Sequence, residues 1–114
     1  MTDCLFCKIV DGSIPADVVY EGTDVVVFRD ISPKAPHHLL VIPKIHLSNV
    51  LGLTREHATL LVHLFEAIHH VVTLLGIDQS GFRVVANTGL HGGQTVDHLH
   101  FHLLAGRALQ WPPG

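Results

Sequence analysis

Three histidines near the end of the chain alternate with apolar residues in the run His98-Leu99-His100-Phe101-His102. In a β-strand this alternation places all three imidazoles on one face and the apolar side chains in the core. Same-face neighbours lie about 6.6 Å apart along the backbone, so three rings cannot easily bind one tetrahedral metal, although an adjacent pair could. Separate roles are favoured. One imidazole nitrogen can attack phosphorus, while its neighbours orient it, donate hydrogen bonds and transfer protons.

A glycine-rich loop precedes this run. Gly89, Gly92 and Gly93 lie between Asn87 and Thr95, and glycine lets backbone amides approach a phosphate closely. A single histidine on a sheet is usually a surface or core residue, and in a chain with eleven histidines two at this spacing could arise by chance. Three in strict alternation beside such a loop favour phosphorus chemistry.

Two cysteines near the start form a second candidate site. Cys4 and Cys7 are three residues apart, a spacing more common for metal binding or redox work than for a structural disulfide. Two cysteines cannot complete a zinc site alone. A reduced, metal-free pair remains open, whereas a thioredoxin-like redox pair is disfavoured because no strand precedes the motif.

Length and composition narrow the class of protein. The 114 residues fit one domain, residues 1–114, in which 47% of residues are hydrophobic and 15% are charged. A domain this small buries a limited share of its surface, so the apolar surplus predicts a dimer. The net charge is −3 and no basic run is present, which excludes polymeric nucleic acid as the expected partner. A single nucleotide needs only a few N–H groups and one or two cations.

The sequence shows no pattern typical of a signal peptide or a transmembrane helix. Its start, Met1-Thr2-Asp3-Cys4, lacks the long apolar core of a signal peptide. Four polar residues interrupt the most apolar run, Ala58–Leu75, and argue against a transmembrane helix: His63, Glu66, His69 and His70. We therefore predict a cytoplasmic protein with no membrane partner.

Local patterns predict an α+β fold, a mostly antiparallel sheet with one long helix and a short N-terminal helical piece. The long helix is expected over Arg55–Leu75, with Thr54 as its N-cap and Gly76 as its stop. The helical piece falls at Cys4–Val10. The predicted strands are Val18–Glu21, Val25–Arg29, His38–Pro43, Phe82–Ala86 and His98–Ala105.

Five segments together resemble the histidine triad family and, within it, the Hint branch of nucleotide-binding proteins: His98–Leu104, Phe28–Pro33, His38–Lys44, Gly92–Val96 and Trp111–Gly114. The resemblance covers nearly the whole chain. It implies a homodimer whose sheets and long helices join across a two-fold axis. It also implies hydrolysis of purine nucleoside 5′-phosphoramidates or related AMP conjugates through a covalent nucleotidyl-histidine intermediate.

The same resemblance implies roles for single residues. His100 is the nucleophile, His102 and His38 support it, and Thr95 passes a proton to the leaving amine. Asp30 binds the ribose hydroxyls, and Trp111 lies near the other protomer's site. The remaining contacts are to the purine, from Phe6, Phe28, Ile31 and Leu40, and to the phosphate, from Asn87, Gly93, Gln94 and Thr95.

The resemblance also implies a structural zinc. Several histidine triad proteins hold zinc with such a cysteine pair, a histidine after the Pro-Lys segment and the first triad histidine. The matching positions are Cys4, Cys7, His46 and His98. Attack by His100 needs no cofactor, because its first step requires no activated water.

Two departures and two alternatives accompany this reading. Thr95 stands where serine is frequent and keeps the hydroxyl, whereas Arg29 stands where histidine is common and adds a charge. One alternative function is a non-catalytic, purine-nucleotide-binding adaptor dimer, against which the intact triad counts. The other is a nucleotidyl transferase or dinucleotide phosphorylase of the same family, which would use phosphate instead of water as acceptor.

Overall fold

The long-range framework is a five-stranded sheet with the order β1-β2-β3-β5-β4, in which every neighbouring pair is antiparallel. It was obtained as a computed structural model that describes residues 3–114. Met1 and Thr2, which begin the predicted domain and the segment examined for a signal peptide, lie outside the described residues. The strands are β1 (Val18–Glu21), β2 (Val25–Arg29), β3 (His37–Pro43), β4 (Phe82–Val85) and β5 (Phe101–Ala105).

Within residues 3–114, two α-helices accompany the sheet, α1 (Leu5–Val10) and α2 (Ala58–Leu75), and the α+β prediction is confirmed. Two short 3₁₀ turns, Val50–Gly52 and Arg55–His57, precede α2. α2 ends at Gly76, which has the left-handed φ of +68° that favours glycine.

The two faces of the sheet carry different layers. On one face, α2 buries Leu64, Ala67 and Val71 against strand residues such as Leu39 and Leu103 in the main core. On the other face, Phe6 of α1 packs on a smaller cluster from β2 and β3. Phe28, Leu40 and Ile42 belong to that cluster. The second face has only a short helix over it, which leaves room for a site.

The pairing of β3 with β5 brings two histidines together. His38 lies opposite Leu104 and Leu40 lies opposite His102. Directly opposed residues share a face, and the diagonal neighbour two positions away shares it too. His38 and His102 are therefore diagonal neighbours on the face that carries the smaller cluster.

The predicted strand His98–Ala105 is wrong in its first three residues, because regular pairing starts at Phe101 opposite Val41. Beyond that point β3 runs into Pro43, which has no N–H to offer a ladder, and its carbonyl accepts from the His98 ring instead.

Four other boundaries differ by one to three residues. α1 begins at Leu5, not Cys4, which is its N-cap. β3 begins at His37, not His38, and β4 ends at Val85, not Ala86. The predicted helix start Arg55 falls in the 3₁₀ turn, because His57 (φ −99°, ψ 20°) departs from helical geometry. Thr54 caps that turn instead of the α-helix.

The outer side of α2 is unusually apolar. Leu61, Val62, Phe65 and Leu74 are exposed in the single chain. Arg55–Leu75, taken with its 3₁₀ turn, is long and apolar enough to cross a membrane by length and composition alone, and a third of its most apolar window is buried in the fold. The core helix of a soluble protein meets the same criterion, so the absence of a membrane partner stays a prediction.

Candidate active site

A cavity of about 510 Å³ opens on the sheet face under α1. Its apolar walls include Phe6, Phe28 and Leu40. Its polar walls include two triad histidines, His100 and His102, and three residues predicted to serve them or the ligand: His38, Asp30 and Thr95. A largely apolar cavity with a few convergent polar groups is the usual form of a small-molecule site.

Most of the residues predicted for substrate or chemistry line this cavity. They are His100, His102, His38, Thr95, Phe6, Phe28, Asp30, Ile31, Leu40, Asn87 and Gly93. Gln94 and Trp111 are absent from its walls. Trp111 is 81% exposed in the single chain.

Sequence reasoning missed several wall residues, most of them apolar: Leu5, Ile9, Ile14, Pro15, Ala16 and Val96. The spacing of Phe6, Ile9 and Val10 is an available signal, since residues three and four apart share a helix face. Arg29, Ser32 and Lys34 also line the cavity. Arg29 is held 3.7 Å from the carboxylate of Asp17.

His100 is fixed by its own chain. Its Nδ1 lies 2.7 Å from the carbonyl oxygen of His98, and a carbonyl can only accept, so Nδ1 carries the hydrogen. Nε2 then keeps the lone pair. The ring is buried and packs edge-on against Phe6, with centroids 5.3 Å apart. This arrangement presents one basic nitrogen of His100 in a defined direction.

His38 and His102 form a directed hydrogen-bond chain. The backbone N–H of Lys34 donates to His38 Nδ1 over 3.0 Å, so the neutral ring carries its hydrogen on Nε2. That N–H donates to His102 Nδ1 at 2.9 Å. His102 therefore keeps its own hydrogen on Nε2, at the end of the chain.

Protonation states agree with this chain. Burial, reinforced by repulsion from His100 and His38, lowers the pKa of His102 to about 4. Burial also lowers the pKa of His38, against an opposing effect of the Asp30 carboxylate, whose Oδ2 lies 3.5 Å from His38 Nε2. Both rings are neutral near pH 7, as the hydrogen-bond chain requires.

Asp30 is held at the end of β2. Its backbone N–H donates to the carbonyl of His38 over 2.9 Å, and its Oδ1 accepts from the backbone N–H of Ser32 over 2.8 Å. The carboxylate is thus fixed on the cavity wall, where it can accept hydrogen bonds from hydroxyl groups.

The glycine-rich loop is tied by its own side chains. Asn87 Nδ2 donates to the carbonyl of Gly92 over 2.6 Å. Gln94 accepts from the N–H of Gly89 and donates to the carbonyls of Ser48 and Val96. A Cβ on Gly92 would overlap the Thr88 carbonyl. Gln94 therefore holds the loop together, and the phosphate contact that the sequence predicts for it stays a prediction.

The four predicted metal ligands lie together. The Cys4 and Cys7 sulfurs and the Nδ1 atoms of His46 and His98 are all within 4.8 Å of one another. His98 Nε2 donates to the Pro43 carbonyl over 3.0 Å, which leaves its Nδ1 lone pair facing Cys4 Sγ at 3.2 Å.

The group supplies two sulfurs and two imidazole nitrogens, which suit tetrahedral zinc. The Pro43 carbonyl holds the His98 ring in the orientation that a metal requires. Burial raises the pKa of the Cys7 thiol to about 11, with help from Cys4. The types and distances of the four donor atoms nevertheless fit zinc, and bound zinc would favour the thiolate form of both cysteines.

Comparisons with known proteins agree with the triad pattern. The family described as "Scavenger mRNA decapping enzyme C-term binding" matches residues 3–110. A protein of Synechococcus elongatus named an uncharacterized HIT-like protein is 51% identical over 112 residues, which is 98% of this chain and 97% of that one.

Solved structures share the fold. The crystal structure of a HIT family hydrolase from Legionella pneumophila has a TM-score of 0.95 and 44% identity, covering 98% of this chain and 100% of that chain. The structure of the histidine triad nucleotide-binding protein from Candida albicans has a TM-score of 0.83 and 31% identity, covering 96% and 83%. This chain belongs to the histidine triad (HIT) family.

Proposed function

We propose that this protein is a nucleotide-binding hydrolase of the Hint type that cleaves purine nucleoside 5′-phosphoramidates or related AMP conjugates. The observation that carries the proposal is the orientation of His100, whose Nδ1 donates to the His98 carbonyl and whose Nε2 lone pair is left for attack. The names of two relatives support it, one a hydrolase and one a nucleotide-binding protein.

The cavity walls offer contacts for the base, the ribose and the phosphate of such a ligand. The hydrocarbon walls with Phe6, Phe28, Ile31 and Leu40 would enclose the base. The Asp30 carboxylate would accept hydrogen bonds from the ribose hydroxyls. The phosphate would then lie next to the loop that contains Asn87, Gly93 and Thr95, which line the same cavity.

The chemistry would proceed in two displacements. In the first, His100 Nε2 forms a bond to the α-phosphorus while the bond from phosphorus to the amine nitrogen breaks. Thr95 passes a proton from solvent to the departing amine, and the N–H of His102 stabilises charge on a phosphoryl oxygen. In the second, water attacks phosphorus, the bond to His100 breaks, and the water's proton is released to solvent as the nucleoside monophosphate leaves.

The test compares release of AMP from adenosine 5′-phosphoramidate by the wild type and by His100→Asn. Asparagine is polar but cannot form the phosphorus–nitrogen intermediate, so we expect kcat to fall at least ~10³-fold with AMP binding retained. His69→Asn, an exchange of the same type at an exposed position of α2, is the matched control.

Other outcomes would select the alternatives. A wild type that binds AMP but releases none from the substrate would make the protein a binding adaptor. Faster turnover with phosphate than with water as acceptor would identify a transferase or phosphorylase. Equal rates for wild type and His100→Asn would overturn the nucleophile.

We further propose a homodimer. β4 is an edge strand with exposed Phe82, and α2 exposes Leu61, Val62 and Phe65. An unpaired strand edge beside an apolar helix face favours association. Sheets and long helices would join across the two-fold axis and bring Trp111 near the other protomer's cavity. Polymeric nucleic acid remains an unexpected partner at a net charge of −3.

Zinc is the proposed structural cofactor, held by Cys4, Cys7, His46 and His98. When bound it would cross-link the start of α1 to the residue that anchors His100, and it supplies no step of the reaction. Thiolate ligands suit a reducing compartment. The proposed location is therefore the cytoplasm, and the proposed domain spans residues 1–114.

A further inference from the structure

The loop that follows Asp30 is held from behind by the residues after β5. Arg107 Nη2 donates to the carbonyl of Lys34 over 2.9 Å, and Arg107 Nη1 donates to the carbonyl of Ala108 over 3.1 Å. Next to it, Gly106 (φ +101°) lies so close to Pro36 that a Cβ there would overlap the proline ring. The planar guanidinium thus joins two segments 73 residues apart in the sequence.

Lys34 is the residue on which the hydrogen-bond chain of the active site begins. Its N–H donates to His38 Nδ1, and His38 Nε2–H then donates to His102 Nδ1. A neutral imidazole has one donor and one acceptor nitrogen. Together with the Asp30 carboxylate, whose Oδ2 lies 3.5 Å from His38 Nε2, the Lys34 N–H therefore favours hydrogen on Nε2 of His38 and, through it, on Nε2 of His102.

Loss of that donor would permit the opposite arrangement. With no N–H at its Nδ1, His38 can carry its hydrogen there and accept at Nε2 from His102 Nδ1–H. His102 Nε2 would then present a lone pair to the phosphoryl oxygen where it had presented a hydrogen. A donor that stabilises charge would become a group that repels it.

We propose that Arg107 is a positioning residue for the reaction: by holding Lys34, it fixes the tautomers of His38 and His102. This inference rests on the proposed function for its effect on rate, but its structural part does not. Arg107 is exposed and lies outside the cavity walls, so it acts through Lys34 and not on the ligand.

The direct test reads the tautomers. Two-bond ¹H–¹⁵N correlation spectra of histidine rings distinguish Nδ1–H from Nε2–H. We expect His38 and His102 in the wild type to carry hydrogen on Nε2, and Arg107→Met to convert a substantial fraction of His38 to Nδ1–H. Arg83→Met is the matched control, because Arg83 also donates to a backbone carbonyl, that of Gln110 at 2.8 Å, but does not contact Lys34.

The second readout is kinetic. Arg107→Met should lower kcat on the order of tenfold, less than the ~10²-fold or more for deletion of a donor to a developing charge, and should leave AMP affinity nearly unchanged. Arg107→Lys can replace one of the two hydrogen bonds and should fall between wild type and Arg107→Met in both readouts.

The outcomes separate the two proposals. If His38 keeps the Nε2–H tautomer in both Arg107 variants, or if Arg83→Met changes it equally, the positioning role is overturned. A wild type that shows the expected tautomers but no turnover would contradict the proposed function and leave the tautomer result to be judged on its own.

Discussion

Two histidine clusters lie side by side in this fold, and they differ in the backbone group that hydrogen-bonds to a histidine ring of each. One contains Cys4, Cys7, His46 and His98, the other Asp30, His38 and His102, and each gathers its donor atoms within 4.8 Å. By distance alone both would be metal sites. The backbone groups behind the rings separate them.

In the first cluster, a carbonyl stands behind the ring. His98 Nε2 donates to Pro43, so Nδ1 offers a lone pair to a metal. In the second, an N–H stands behind the ring. His38 Nδ1 accepts from Lys34, so Nε2 carries a hydrogen and would have to lose it before binding a cation. Whether a histidine cluster can bind a metal therefore depends on the backbone hydrogen bonds to its rings as much as on the spacing of its donor atoms.

The largest expected effect comes from removing the thiols. The double variant Cys4→Ser/Cys7→Ser should lose its zinc, from about one per chain to none, and lower the Tm by on the order of 10 °C, because bound metal stabilises only the folded state. Zinc content by elemental analysis and thermal unfolding measure both.

The matched control for that variant removes two rings of the other cluster. His38→Asn/His102→Asn should keep its zinc. Metal loss from this control, with retention in the serine variant, would mean that the two clusters have been assigned the wrong way round.

A smaller effect concerns pH, measured in the serine variant so that metal release does not contribute. The pKa of His102 is lowered from 6.5 to about 4, mainly by burial. Between these values the unfolded chain binds a proton that the folded chain excludes, so the free energy of unfolding should fall as pH drops from about 6.5 toward about 4.

His38, whose pKa is lowered by burial, contributes with the same sign. Adding His102→Asn should make the fall in stability shallower, as measured by urea midpoints across this range. An unchanged slope would show that His102 is not the buried neutral ring that the second cluster requires.

The smallest effect is expected at a histidine–carboxylate contact outside both clusters. His63 Nδ1 lies 2.8 Å from Asp24 and joins α2 to the β1–β2 turn, but both side chains are substantially exposed. His63→Gln should change stability by less than about 1 kcal/mol in urea unfolding, with zinc content and hydrolysis unaffected. A loss several times larger would show that solvent exposure does not distinguish this pair from the two clusters.

Local patterns in the sequence predict most of the framework. Short runs of β-branched and aromatic residues predict β1 and β2, and the helical spacing with Gly76 predicts the end of α2. The start of β5 could not be read in this way. It depends on where β3 reaches Pro43 and stops pairing, which is a property of another segment of the chain.

The candidate site, like the fold, could be predicted from the sequence only in part. Residue types and spacing predicted the histidine alternation and the cysteine pair. The resemblance to the histidine triad family added Asp30 and the two further metal ligands, His46 and His98. The contacts of Lys34 with His38, of Arg107 with Lys34 and of Gln94 with Ser48 follow from loops that meet only after folding. A side-chain amide that hydrogen-bonds within its own loop has no local sequence pattern, so the loop contacts of Gln94 could not be predicted.

His98 connects the first cluster to the proposed nucleophile, because its ring lies among the sulfur and nitrogen donors and its carbonyl accepts a hydrogen bond from His100 Nδ1. The two sites therefore cannot change independently in evolution or in design. A relative or an engineered variant that gives up the thiols must provide another means of holding residue 98, such as a packed side chain at position 4 or 7. Substitutions at these positions should therefore show epistasis with substitutions at His100, although the side chains serve different tasks.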